Sequence, residues 1–356
     1  MKKLLQKIEL KMKTVINKIV TVDRKTYHLN QVKNVFYFTS KPKILLLRQD
    51  RIGDLLISTS FIRILRNNNP NAQIDILLGK KNISAKKCIQ KYVNKIFLLE
   101  SNSIKYLRTL WHLNKEKYDL IIDLFDNSST TSATIIKYAN PVFALGIDKF
   151  NARIYDYTVP MLDRFNSSIV ERTCNLLIAF GIEPKEQDLN LEYPVNYEQK
   201  NNTKFRVGIN LAGSNERRFW GKDNNEKLIK YLFEKYENVE LRLFYTSQYE
   251  KIANDFSQKF PNLLIGLCNN FDDFADEVSK CSFIISPDTS IAQLASAFKI
   301  SSLIMYIFSE NASHTHSPWY PYNSHFKAIT TNKPTLQSIP FSEVVSTVDE
   351  ILKEII

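Results

Sequence analysis

Residues 45–66, LLLRQDRIGDLLISTSFIRILR, set a short run of leucines against a polar loop and then a second apolar stretch at helical spacing. The leucine run has the length of a buried strand, and Leu55, Leu56, Phe61, Ile62 and Leu65 recur on one face of a helix. Arg48, Gln49, Asp50, Arg51, Ile52, Gly53 and Asp54 lie between them, at the carboxyl end of the strand. In a chain with only 8 glycines, Gly53 is predicted to make the tight turn into the helix, with Asp54 at or next to the N-cap. On spacing alone two roles stay open for Asp54. It can accept from the first-turn amides at the positive end of the helix, or act as a general base for a ligand that Gly53 admits to the backbone.

The same alternation of strand and helix continues outward. KILLLR, AQIDILLG, KIFLLE, YDLIIDLF and PVFALGI are predicted strands, with helices over 54–66, 84–92, 103–116 and 128–138 and a long one over 167–184 that ends at Gly181. The polar stretch 185–204 then links to a second series. It contains strands RVGINL, VELRLFY, LLIGL, SFIIS and SSLIMYIF and helices over 223–236, 248–259, 271–279 and 289–298. The predicted organisation is a basic extension (1–43), a first α/β domain (44–184), the linker, a second α/β domain (205–340) and a carboxyl-terminal helix (341–356). Tandem doubly wound domains are expected to hold a ligand in the cleft between them, at the carboxyl ends of the strands.

Composition narrows the classes. With 44% hydrophobic residues in 356, two cores are attainable. Cys88, Cys174, Cys268 and Cys281 form no CxxC pair, which predicts reduced thiols rather than disulfides or a zinc site. Residues 1–43 hold eleven Lys or Arg against Glu9 and Asp23, so a net +9 of the chain's +11 belongs to the extension. Leu5, Ile8, Met12, Val15, Ile16 and Ile19 recur there at helical spacing among lysines. This pattern predicts an amphipathic helix, either solvated and packed on its own domain or lying on an anionic membrane surface. Nucleic-acid binding is not expected, because the charge is not spread over a folded domain. No Walker A loop, GxGxxG, GxSxG or HExxH is present, and His314 and His316 have no acid or cysteine at ligand spacing, so neither the usual cofactor folds nor a metal site is predicted.

Two further loops lie after strands of the second series. In 210–224, Asn210, Gly213 and Ser214 offer donors and Arg217 and Arg218 bring guanidinium groups to a strand's carboxyl end, which suits phosphate oxygens; a solvated loop with Trp220 packed inward fits as well. In 283–298, Asp288 is predicted at the N-cap, with Thr289 and Ser290 opening a helix whose free amides make an anion site; capping alone would explain them too. Taken together, the three loops favour a phosphorylated ligand.

Taken in order, these motifs resemble glycosyltransferase family nine, the bacterial lipopolysaccharide heptosyltransferases. The resemblance runs from about Ile44 to Phe308 and rests on R-x-x-x-[IM]-G-D (Arg48 to Asp54), YDLIID (118–123), ERTCNLL (171–177), RFW (218–220) and DTSIAQL (288–294). It implies a GT-B architecture of two Rossmann-like domains and an inverting, metal-independent transfer from a nucleotide-diphosphate sugar, of which ADP-heptose is the best-known, to a lipid-linked saccharide. By the resemblance, Asp54 matches the catalytic base, with Arg48, Arg51 and Gly53 on the acceptor side. Asn210, Gly213, Ser214, Arg217, Arg218, Glu250, Asp288, Thr289, Ser290 and Gln293 fall on the donor side. Ser290 and Gln293 replace the motif's glycine and histidine, and Ser60 and Thr246 replace a proline and a glycine, so the donor sugar is left between heptose and a related hexose. The implied setting is the cytoplasmic face of the inner membrane, with no cofactor beyond the donor. A sugar-nucleotide epimerase on the same architecture is the alternative enzyme.

Overall fold

The computed structural model describes residues 24–38, 41–100, 103–195, 204–211, 215–308 and 319–355. The predicted amphipathic helix, Gly213, Ser214, His314 and His316 lie outside them. The chain divides into two compact units, one of residues 1–163 and 169–189 and the other of 164–168 and 190–356.

The first unit is a parallel seven-stranded sheet in the order β1-β7-β6-β5-β2-β3-β4. Its strands are β1 (Tyr27–His28), β2 (Lys43–Arg48), β3 (Gln73–Gly79), β4 (Lys95–Leu99), β5 (Leu120–Asp123), β6 (Phe143–Ile147) and β7 (Tyr157–Val159). Ile44 to Leu47 of the central β2 are fully buried, the continuous apolar run expected of a strand covered on both faces. The helices are α1 (Ile52–Ile57), α2 (Thr59–Asn68), α3 (Ser103–Glu116), α4 (Thr130–Ala139) and α5 (Ile169–Cys174).

The second unit is a parallel five-stranded sheet in the order β12-β11-β10-β8-β9. It comprises β8 (Phe205–Asn210), β9 (Val239–Phe244), β10 (Phe283–Pro287), β11 (Ser301–Ile307) and β12 (Phe326–Thr331). Its helices are α6 (Lys222–Lys235), α7 (Glu250–Lys259), α8 (Phe271–Ser279), α9 (Ser290–Phe298) and α10 (Phe341–Ile355). Val344, Val348, Ile351 and Leu352 of α10 lie in the same apolar core as the sheet, and Asp349 accepts from Tyr231, Tyr236 and Lys235 of α6 and the residue after it. The final helix is therefore part of this unit.

Several local predictions change. Residues 24–38, read as extension, belong to the first unit: β1 pairs with β7, Arg24 forms an ion pair with Asp156, and Phe36 is buried among Phe143, Tyr157 and Phe180. The single helix predicted over 54–66 is two, jointed at Ser58, whose hydroxyl donates to the Asp54 carbonyl at 2.8 Å and so competes with the helical ladder. The helix predicted over 167–184 shortens to α5 and a 3₁₀ turn over Asn175–Ala179, though Gly181 does end it with φ of +73°. Residues 84–92 contribute only a 3₁₀ segment, Ile83–Cys88. LLIGL makes a single bridge from Leu264 to Arg242 rather than a strand, because Gly266 takes φ of +146°, and its carbonyl accepts from the Arg242 side chain.

Candidate functional site

In each sheet the strand order reverses at one place, between β2 and β5 in the first and between β8 and β10 in the second. Loops leaving neighbouring strands in opposite directions open a crevice there, where doubly wound sheets bind ligands. The loop carrying Asp54 follows β2, and the two predicted donor loops follow β8 and β10, so all three stand at such points.

At the first, Asp54 is the third residue of α1 rather than its cap. Arg51 is the N-cap, and its amide donates to Asp54 Oδ2 at 3.0 Å. Gly53 lies inside the helix and is not among the positive-φ residues, so the expected tight turn is absent: Arg51, in an extended conformation, makes the turn instead. Asp54 is only 4% exposed. Burial, and next the neighbouring Asp50 carboxylate, raise it from the ordinary 3.8 to about 7, against the opposing pull of Arg48. Asp50 is itself raised, chiefly by burial, although Arg48 lies 3.2 Å away.

Arg48 is 2% exposed and held on three sides. Its Nε donates to Ser58 Oγ at 2.8 Å, one Nη to Asp50 at 3.2 Å, and its Cζ lies 5.4 Å from the centre of the Phe125 ring. Its other Nη is buried with no hydrogen-bond partner among the described residues, as are Gln49 Oε1 and Asp50 Oδ1. The backbone of this loop is clamped from β3. Asn82 Nδ2 donates to the Arg48 carbonyl at 2.7 Å while its Oδ1 accepts from Gly79 N at 2.9 Å. A side chain on Gly79 would place its Cβ 2.5 Å from the Gln49 carbonyl oxygen, so glycine is required there by close approach.

Behind the loop is a buried polar cluster centred on Asp123, at the end of β5. Asp123 accepts from Ser132 Oγ at 3.2 Å, Lys149 Nζ at 3.0 Å and Tyr155 OH at 2.5 Å, and Ser132 in turn receives Gln49 Nε2 at 3.3 Å. Burial lowers the Lys149 ammonium and raises the Tyr155 phenol well above its usual value. In the following turn, Asp126 pairs with the buried Arg172 of α5 at 3.3 Å.

At the second switch point, Asn210 Nδ2 reaches Ser286 Oγ at 2.9 Å and Thr289 Oγ1 at 3.1 Å, tying the ends of β8 and β10 together. Thr289, not Asp288, is the N-cap of α9, its hydroxyl accepting from Ile291 N at 3.4 Å, which leaves Ser290 as the first helical residue. Asp288 turns instead to Arg218: its carboxylate lies 2.8 Å from one Nη and its carbonyl accepts from the other. The adjacent Arg217 is exposed and donates to Pro334 O at 2.7 Å, away from this cluster. Gln293 is buried and donates to Trp319 O at 3.0 Å, with its own Oε1 buried and without a hydrogen-bond partner among the described residues. Glu250 begins α7 as an exposed residue, and Trp220 is packed inward with its Nε1 on Ile339 O at 3.0 Å.

Asp54, Arg48 and Arg51 thus share one loop, and Asn210, Arg218, Asp288, Thr289 and Ser290 another cluster. Asp50, Gly79, Asn82, Lys149 and Tyr155 belong to this site as well, though none is among the sequence-predicted site residues. Asp50 and Gly79 were legible as an acid beside an acid and a scarce glycine ending a strand. Lys149 and Tyr155 carried no signal, because only the pairing of β5, β6 and β7 brings them to Asp123.

Two parallel α/β units, each with a polar site at its switch point, match the GT-B architecture, which glycosyltransferases share with sugar-nucleotide epimerases. A glycosyltransferase family 9 protein from Veillonella parvula superposes with a TM-score of 0.71 at 14% identity, covering 88% of this chain and 98% of that one. Heptosyltransferase WaaC of E. coli, solved with ADP, gives 0.68 at 15% identity over 88% and 99% of the two chains. The ADP-heptose LPS heptosyltransferase II of E. coli gives 0.66 at 19% over 88% and 99%. No curated protein sequence matches the chain.

The family model for glycosyltransferase family 9 (heptosyltransferase) matches residues 107–340, about two thirds of the chain. The chain belongs to glycosyltransferase family 9, and it is a glycosyltransferase. Membership decides between the transferase and epimerase readings. The matched region includes Arg218 and the 288–294 motif and begins after Asp54, whose role therefore rests on its own geometry.

Proposed function

We propose that this protein transfers a heptose or related hexose, with inversion and without a metal, from a nucleotide-diphosphate sugar to a hydroxyl of a lipopolysaccharide-type glycan, and that Asp54 is the base. As the acceptor oxygen attacks the anomeric carbon its proton passes to the Asp54 carboxylate, while the bond to the diphosphate oxygen breaks and the nucleotide diphosphate leaves. The observation that carries this reading is the placement of Asp54: a carboxyl 4% exposed in the loop after β2 at the switch point, where burial and the neighbouring Asp50 raise it to about 7, so that it is a better proton acceptor near neutral pH than a carboxylate of ordinary strength. Arg51, exposed at the helix cap, would meet an acidic acceptor, whereas Arg48, expected on the acceptor side, is buried against Asp50 and Ser58 and holds the loop.

On the donor side, Arg218 and the first amides of α9 would take the growing charge of the leaving diphosphate, with Asp288 holding Arg218 in place. The relatives solved with ADP and with an ADP-heptose analogue make ADP-heptose the first donor to test. Ser290 and Gln293 would set the sugar preference, since a hydroxymethyl side chain stands beside the amides and Gln293 is already engaged to Trp319. Gly213 and Ser214 would be donor contacts as hydrogen-bond donors in the loop after β8, and Glu250 on the family resemblance. Among the described residues no helix is long and apolar enough to cross a membrane, and the basic segment 1–23 would hold the enzyme peripherally at the inner membrane.

A panel of nucleotide sugars read by thermal shift names the donor, because a ligand bound only by the native state raises the melting temperature. Transfer from the preferred donor is then expected to vanish in Asp54→Ala while the thermal shift survives. Full activity in Asp54→Ala would overturn the base assignment, and an absence of shift with every nucleotide sugar would overturn the donor site.

A further inference from the structure

Helix α3 carries apolar side chains on two faces. Leu110 and Leu113 point into the core of the first unit. The opposite face exposes Ile104 (79%), Leu107 (62%) and Trp111 (57%), at spacings of three and four residues, so they form one stripe about two turns long. Tyr138 of the neighbouring α4 is exposed beside it; its carbonyl accepts from Asn114 of α3 at 2.8 Å. The other exposed residues of α3 are Lys105, Arg108, His112 and Lys115. The helix's single carboxylate, Glu116, is turned to Lys95 at 2.6 Å and Lys43 at 3.5 Å. Glu100 is shared by Lys80 at 2.8 Å and Lys105 at 3.7 Å, one carboxylate oxygen to each. The exposed stripe is thus apolar, tryptophan-bearing and bordered by cations, and Lys115 Nζ lies 5.6 Å from the Trp111 ring centre.

We propose that this face of α3 docks on an anionic lipid surface, as a membrane contact separate from the amino-terminal segment. Charge complementarity selects the occupant. A basic rim around leucine, isoleucine and tryptophan matches the headgroup boundary of an anionic bilayer, where tryptophan settles and each basic side chain adds roughly fivefold to binding. The topology gives the contact a purpose. Helix α3 follows β4, so Ile104 and Leu107 stand at the carboxyl end of the sheet, the end that carries Arg48 to Asp54. Docking there brings the acceptor loop toward the lipid. This purpose rests on the lipid-linked acceptor proposed above; the docking itself does not.

The test uses the full chain with vesicles of phosphatidylglycerol and phosphatidylethanolamine, and of phosphatidylcholine alone. Wild-type protein is expected to co-sediment with the anionic vesicles, and lipid with brominated acyl chains is expected to quench its tryptophan emission. Trp111→Phe keeps the binding and loses most of the quenching, since the other two tryptophans belong to the other unit, Trp220 buried and Trp319 half-buried. Leu107→Asp with Trp111→Asp, both at exposed positions, weakens binding to anionic vesicles by about tenfold or more. Undiminished quenching in Trp111→Phe, or unchanged binding of the double variant, would overturn the proposal. So would a lipid-free wild type that sediments as a dimer beside a monomeric double variant, which would make the face a contact between copies. Asp54→Asn, inactive on the proposed mechanism, should bind vesicles as wild type does, so a failed base assignment and a failed docking face give different results.

Discussion

Replacing Asp54 by Asn should abolish transfer and at the same time stabilise the protein, by an amount that depends on pH. In the folded chain burial and Asp50 hold the Asp54 proton to about 7, whereas the unfolded chain releases it near the ordinary 3.8. Between those values the folded state binds a proton that the unfolded state has lost, so Asp54's contribution to stability is fully present below 3.8 and falls as pH rises through about 7. At about 1.4 kcal/mol for each tenfold change in proton affinity, the whole interval corresponds to roughly 4 kcal/mol. Asparagine has no proton to lose, keeps the shape, and can still accept from the Arg51 amide. The variant should therefore gain on the wild type by up to roughly 4 kcal/mol between about pH 4 and about pH 8, with about half of it appearing by pH 5.5. Urea unfolding of the two proteins at matched pH measures this directly. A stability difference that stays flat across that range would refute the argument that Asp54 is a buried acid of raised affinity, and with it the physical case for its role as base.

The neighbouring groups allow three further tests. Asp50→Asn removes the like charge beside Asp54, so the acid limb of the kcat/KM profile should move to lower pH by on the order of one unit; an unmoved limb would mean that Asp50 does not act on the base. Gly79→Ala puts a Cβ 2.5 Å from the Gln49 carbonyl, which should displace the Arg48 loop, cost about 1–3 kcal/mol in unfolding free energy and depress kcat more than nucleotide binding. Lys149→Met leaves Asp123 buried beside Tyr155 without its cation and should cost about 3–5 kcal/mol in urea unfolding; the tolerance of a surface lysine would argue against the buried pair.

Much of this fold could be read in the sequence because parallel strands covered on both faces are short, continuous apolar runs, and helices between them keep a helical period. KILLLR, AQIDILLG and RVGINL became β2, β3 and β8 for that reason. Where the signal failed, a tertiary contact had overruled a local preference. LLIGL is as apolar as its neighbours, yet Gly266 and the Arg242 side chain turn it aside. The two residues of β1 are too few to show a period and exist only because β7 offers an edge.

For the site, the order of motifs along the chain was enough to place three loops at strand ends, with Asp54, Arg218 and the 288–290 segment in them. What those residues are was a tertiary matter. Asp54 and Asp288 both look like N-caps in one dimension, but neither is the N-cap, although Asp54 accepts the cap's amide from the third position. Arg51 and Thr289 take the caps, which leaves one carboxylate buried against a second acid and the other paired with an arginine seventy residues earlier. An aspartate's spacing to its helix is a local quantity that sequence carries. Its proton affinity is a sum over burial and charges from elements far apart in the chain, and only the folded structure brings those together.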